Sequence, residues 1–260
     1  MLTSNYAVAR TGLDAAALKP AECDVRRALE LPFDAVTVDY EGREHLPDTE
    51  TLAELVAEKD VRLTVPVRAD GFDPLGDDSL YDRLPEGVKT VLVAGHPAYL
   101  TEGERRRAIA PRFGAALDRT PDAWVGTEGV ERVAAATGAA QFELLTRSTA
   151  RDLRALRAAG FDGTIAVYAP TVLTSDEDAI LDAVGAYVAR RKPVARALPE
   201  TAQPDARATG RAREVLSAAS RDFALVGAVD EIGEQVAGLK NAGADCVVGY
   251  PARGVEAFLD

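Results

Sequence analysis

The sequence predicts an α/β protein, a closed (β/α)8 TIM barrel formed as a single domain over residues 1–260. Three observations predict it. A chain of 260 residues has the length of an eight-unit barrel. Short apolar runs recur along it, rich in Val, Leu and Ile on consecutive rather than alternating residues, as parallel strands buried on both faces require. Helix-like stretches separate these runs, and most repeats span roughly 20–35 residues, the length of one βα unit.

The elements follow in order. Tyr6 to Arg10 reads as the first strand and Ala15 to Leu29 as its helix. Ala35 to Asp39 is followed by a helix over Thr49 to Lys59. Arg62 to Arg68 leads into a polar loop and a short helix near Ser79 to Leu84. Thr90 to Ala94 precedes a helix over Thr101 to Leu117, Ala123 to Gly126 one over Val130 to Ala136, and Gln141 to Thr146 one over Ala150 to Ala159. Thr164 to Tyr168 and Asp245 to Gly249 complete the eight strands. Thr101-Glu-Gly-Glu104 and Thr174-Ser-Asp-Glu177 have the form of capped helix starts with acids in the first turn. Gly160 and Gly243 stop helices just before strands. One interval is too long: about 75 residues separate Tyr168 from Cys246, far more than a βα unit needs. It holds a helix over Asp176 to Arg191, a Pro-rich stretch from Pro193 to Pro204, a second helix over Ala206 to Ser220, the apolar run Phe223 to Gly227 and a third helix. An extended helical excursion is therefore expected between strands 7 and 8.

The charge is unusual. Asp and Glu total 42 against 30 Lys and Arg, a net charge of −12, and only 5 of the bases are Lys. An acidic, Lys-poor, Arg- and Ala-rich chain points to a high-salt cytoplasm, where surface carboxylates hold water and their repulsion is screened over a Debye length of about 3 Å. A GC-rich genome is the alternative source of the same bias. No basic stripe interleaved with aromatics is present, which argues against nucleic acid. Arg105 to Arg107 and Arg190 to Lys192 are short clusters in helical stretches and read as solvated faces or helix-end charges. Cys23 and Cys246 have no CxxC spacing, which argues against a zinc site or redox pair. No apolar run approaches a membrane span and no leader pattern opens the chain, so a soluble cytoplasmic protein is expected. Walker, GxGxxG, HExxH and GxSxG motifs are absent, and two distant histidines, His45 and His96, do not suggest a metal site.

The most informative stretch is Asp222 to Pro251. An apolar run ends in Gly227, a helix opened by Asp230 and Glu231 follows, Asn241-Ala-Gly243 stops it, and a second apolar run from Cys246 to Val248 ends in Gly249. This resembles the closing βα unit of the luciferase-like flavin and deazaflavin enzymes, which are TIM barrels. The resemblance extends back to about residue 160, through Val-Tyr-Ala-Pro-Thr171 and Tyr187-Val-Ala-Arg-Arg191; before that only strand spacing agrees. The chain departs from the family in two ways. It has no room for the large insertion of longer members, and Ala228 and Val229 stand where the family often has a hydroxyl residue and Pro.

In a TIM barrel the site lies at the carboxyl ends of the strands. Those ends give Arg10 and Thr11, Asp39 and Glu41, Arg68 and Asp70, Gly95 and His96, Thr127 and Glu128, Arg147 and Ser148, Tyr168, and finally Gly249, Tyr250 and Arg253. His96, just above a strand, is placed to shuttle a proton or to meet a ring, or else bonds a neighbouring carbonyl. Glu128 lies between Gly126 and Gly129, which allow close backbone approach or simply form a turn. Asp39 ends a strong strand, where it holds a ring nitrogen or pairs with Arg10 or Arg68. Arg68 and Arg147 are expected either to clamp an anion or to neutralise Asp39 or Glu128. Gly227 opens a helix that either takes phosphate or is capped by its own acids.

The resemblance implies an oxidoreductase that transfers hydride with F420 or FMN, F420 being preferred because the high-salt reading suggests a halophilic archaeon. In that reading Asp39, His96 and Glu128 lie near the ring, and Arg10, Arg68, Arg147, Tyr168, Gly227 and Gly249 contact the cofactor. Two alternatives stay open: a relative without cofactor that serves as a binding or assembly protein, and an isomerase or lyase on an anionic metabolite using Glu128 and an arginine clamp. A homodimer through the apolar side of Ala179 to Val188 is a further expectation.

Overall fold

Nine strands are formed by the described residues, 6–260, of the computed structural model. They are β1 (Ala15–Leu18), β2 (Ala35–Val38), β3 (Asp60–Pro66), β4 (Lys89–Val93), β5 (Trp124–Gly126), β6 (Gln141–Leu144), β7 (Ile165–Leu173), β8 (Leu225–Gly227) and β9 (Cys246–Pro251). Strands β1 to β7 pair in sequence order, all parallel, and β9 pairs with both β7 and β1. Eight parallel strands thus close a barrel. The short β8 is extra to it. It pairs with Thr171 to Leu173 of β7, and Thr171 also pairs with Pro251 of β9. β8 must therefore lie on the β6 side of β7, beyond the last β6 register pair, Leu144 with Tyr168.

The helices are α1 (Thr49–Glu58), α2 (Glu102–Arg105), α3 (Ala110–Arg119), α4 (Glu131–Ala136), α5 (Thr149–Ala158), α6 (Glu177–Ala189), α7 (Lys192–Ala197), α8 (Gly210–Phe223) and α9 (Val229–Ala242). None is long and apolar enough to cross a membrane. Their ends follow local chemistry. The Thr101 hydroxyl and the Glu104 carboxylate cap α2 reciprocally, Asp176 caps α6, and Gly243 takes φ 120° just past α9.

The first strand differs from the expectation. Ala7–Arg10 is a 3-10 helix on the outside, and the strand is Ala15-Ala-Ala-Leu18, with all four residues buried; Val25–Glu30 forms a second 3-10 helix. Alanine favours helix in isolation, but here the barrel decides. Ala15 and Ala17 face inward beside Phe142, Tyr168 and Val248. A strand of small side chains leaves room for the bulky ones opposite. The predicted Thr101 to Leu117 helix is broken in two, with Pro111 in the first turn of α3.

Side-chain alternation sorts the core. Ala16, Leu18, Val36, Val38, Leu63 and Val65 face the outer layer in the main cluster. Each such burial contributes about 1.5–3 kcal/mol for a Val or Leu. The excursion between β7 and β9 contains α6, α7, α8, β8 and α9. Its first three helices share their own cluster, with Leu181, Val188, Val194 and Leu216 buried.

Candidate functional site

Three phenol–carboxylate pairs ring the barrel mouth. The Tyr168 hydroxyl, on β7, donates to Asp39 Oδ2 at 2.9 Å, just past β2. The Tyr99 hydroxyl donates to Glu41 Oε1 at 3.4 Å. The Tyr250 hydroxyl, on β9, donates to Glu22. The Tyr168 and Tyr250 rings stack, with centroids 6.4 Å apart and planes 9° apart. Lys19, the residue after β1, sits with Nζ 4.0 Å from the Tyr250 centroid and 3.4 Å from Glu22 Oε1. Backbone holds Glu41 as well, through the Ala21 N–H at 2.9 Å.

The rim leaves part of Asp39 accessible, but protein surrounds its carboxyl. That desolvation lifts its pKa to about 6, against the opposing pull of the Tyr168 hydrogen bond and Lys19; Glu41 and Glu22 push it further up. A carboxyl titrating near neutrality at the strand ends can take and return a proton. Burial, and then the neighbouring Asp39 charge, push the Tyr168 phenol well above its ordinary value, so it stays a fixed donor.

Of the candidates named from sequence, Asp39 and Tyr168 are brought together here. His96 is exposed nearby. Its Nδ1 accepts the Ala98 N–H at 3.2 Å, and its ring lies 5.8 Å from that of Tyr99. The others stand apart. Arg10 lies outside the barrel, paired with Asp230 of α9 at 2.8 Å, because the segment expected as the first strand is not in the sheet. Arg68 donates to the carbonyls of Ala94, Arg105 and Gly95 at 2.6, 2.8 and 3.2 Å. Glu128 pairs with Arg191 at 2.8 Å. Gly227 faces Glu231, whose carboxylate accepts the Ala228 N–H at 2.6 Å and fills the start of α9. At Gly249 a Cβ would stand 2.7 Å from Leu13 and 3.1 Å from Thr171, so this glycine gives packing room. Arg147 is exposed, with no carboxylate in salt-bridge distance among the described residues.

Lys19, Glu22 and Tyr99 belong to the mouth and were not named from sequence. Lys19 is legible only once Ala15 to Leu18 is known to be a strand. Glu22 sits in a turn and Tyr99 at the end of a 3-10 helix, neither within a motif.

The fold is similar to that of an F420-dependent secondary alcohol dehydrogenase in complex with an F420-acetone adduct, with a TM-score of 0.61 at 11% identity over 95% of this chain and 96% of that one. It is equally similar to a coenzyme F420 dependent tetrahydromethanopterin reductase from Methanopyrus kandleri, with a TM-score of 0.61 at 12% identity over 95% of this chain and 97% of that one. Apo-MsnO8 follows, with a TM-score of 0.56 at 14% identity over 96% and 95%. At such identities the likeness establishes the fold alone, a TIM barrel. No curated protein matches the chain. The family model that does match is described as a family of unknown function, DUF7388, and it covers residues 8–258. The chain belongs to that family.

Proposed function

We propose that this protein is an oxidoreductase that works with a flavin or deazaflavin, F420 ahead of FMN, and that its substrate is handled at the barrel mouth. The Asp39–Tyr168 pair carries the proposal: a carboxyl just past the end of β2 with its pKa lifted to about 6, and a fixed phenol donor 2.9 Å away, within β7 but level with the end of β6.

A flavin-type cofactor makes two demands. A flat ring needs an apolar face and hydrogen-bond partners, which the exposed Tyr99 and His96 offer. An anionic tail needs cations. Arg10 and Arg68 are engaged elsewhere, but Arg147, Arg190 and Lys192 have no salt-bridge partner among the described residues. When bound, the cofactor would supply the hydride chemistry. The chain's own residues do the rest. The Asp39 carboxyl takes or returns the proton through the oxygen that Tyr168 does not hold, Tyr168 fixes its orientation through Oδ2, and Lys19 moderates the surplus negative charge of Glu22, Glu41 and Asp39.

A second reading, a relative without cofactor, is favoured by one observation. The start of α9 is filled by Glu231 rather than left open for phosphate. Thermal-shift and fluorescence titrations in molar KCl with F420 and with FMN separate the two. Micromolar binding with a rise in Tm supports the oxidoreductase; no response to either cofactor leaves the second reading.

A further inference from the structure

Beside the mouth a groove of about 1010 Å3 runs between the ends of β5 and β6 and helices α4, α5, α7 and α8. Much of its wall is apolar, with Leu156, Val194, Val215 and Phe223 contributing. The Arg211–Glu214 pair and Asp222 stand on its α8 wall, and two further groups of charge line it. Glu143 on β6 lies close to Asp152 and Glu131; burial first, and then these two acids, push its carboxyl up. The cations gather at the turn between α6 and α7 and at the end of β6: Arg190, Arg191, Lys192 and Arg147.

Arg191 is fixed. Its Nη1 meets Glu128 at 2.8 Å, and its guanidinium lies 4.3 Å from the Tyr187 ring and 5.9 Å from the Phe223 ring. Its buried Nε has no acceptor, and the buried Tyr187 hydroxyl one turn earlier has no partner either. Arg147, Arg190 and Lys192 meet no carboxylate among the described residues. In a chain of net charge −12, a cluster of cations without partners and an orphaned buried N–H donor are features that need an explanation.

We infer that this groove binds an elongated anion with an apolar body. Its carboxylate, sulfonate or phosphate end is held by Arg147, Arg190 and Lys192, and its hydrocarbon or aromatic body lies over Val194, Val215 and Phe223. The acids around Glu143 exclude a second anionic group at that side. These are the cations that the proposed function offers to an anionic cofactor tail, so the groove's ligand competes with that tail for them, while Asp39 and the mouth take no part.

Anilinonaphthalene sulfonate is an apolar anion of this class and reports its own binding by fluorescence. The full chain is expected to bind it saturably. Decyl phosphate should displace it and decyltrimethylammonium should not. The double variant Arg147→Glu/Arg190→Glu should weaken binding by about tenfold or more with Tm unchanged. Ala218→Trp, an exposed α8 position on the groove wall, should block binding without touching a cation. Asp39→Asn should leave it intact, so failure of the mouth reading and of this one are separable. Equal binding by wild type and both groove variants, or equal displacement by the ammonium, overturns the inference.

Discussion

Two pieces of chain cover the strand ends, and opposite forces hold them. The loops after β3 and β4 are locked by charge and by carbonyls. Asp73, only 1% exposed, takes the Arg112 Nε at 2.8 Å and Nη2 at 2.9 Å, and Arg107 at 3.0 Å. Arg68 ties three carbonyls together beside it, and Glu104 accepts the Asp70 N–H at 2.6 Å. The excursion after β7 is held by apolar packing of α6 and α7 on α8. The difference matters for the mouth. Directional bonds set positions closely and tolerate no loss of a partner, whereas apolar packing answers to volume and tolerates exchange of like for like.

The largest loss is expected from Asp73→Ala. It leaves Arg112 without its carboxylate and Arg107 with Asp70 alone, at 2.7 Å, and such losses cost about 3–5 kcal/mol. Urea unfolding measures it; a loss well below about 1 kcal/mol means the lock is no stronger than a surface pair. Leu216→Ala tests the other side. A fully buried leucine lost from the excursion is expected to cost about 2–5 kcal/mol, depending on how far the helices collapse. Gly185→Ala sharpens the volume argument. Its Cβ would stand 2.3 Å from the Pro204 carbonyl oxygen, and overpacking of this kind costs about 1–3 kcal/mol. Asp39 gives a pH-dependent test. Its pKa is raised from 3.8 to about 6 in the fold. Between those values the folded state holds more protons than the unfolded chain, so stability falls as pH rises through that window. Asp39→Asn removes the decline. Tm against pH for both proteins shows it, and parallel curves refute it.

Legibility differed between the two halves of the chain. In the second half, helix starts, the Gly243 stop, the excursion and the closing βα unit could all be read from residues a few positions apart. In the first half, Ala15 to Leu18 reads locally as helix and is a strand, and Arg68 reads as an anion clamp or a partner for Asp39 or Glu128 and is a brace on three carbonyls.

By itself the sequence determined the barrel class, the alternation of its units, the place of the excursion and most helix ends, because periodicity and capping act between near neighbours. Only the tertiary structure decided which strand end meets which. Tyr168 and Asp39 lie 129 positions apart, and no local pattern joins them. Barrel closure brings β7 and β2 to one mouth, and the burial that follows gives Asp39 its raised pKa.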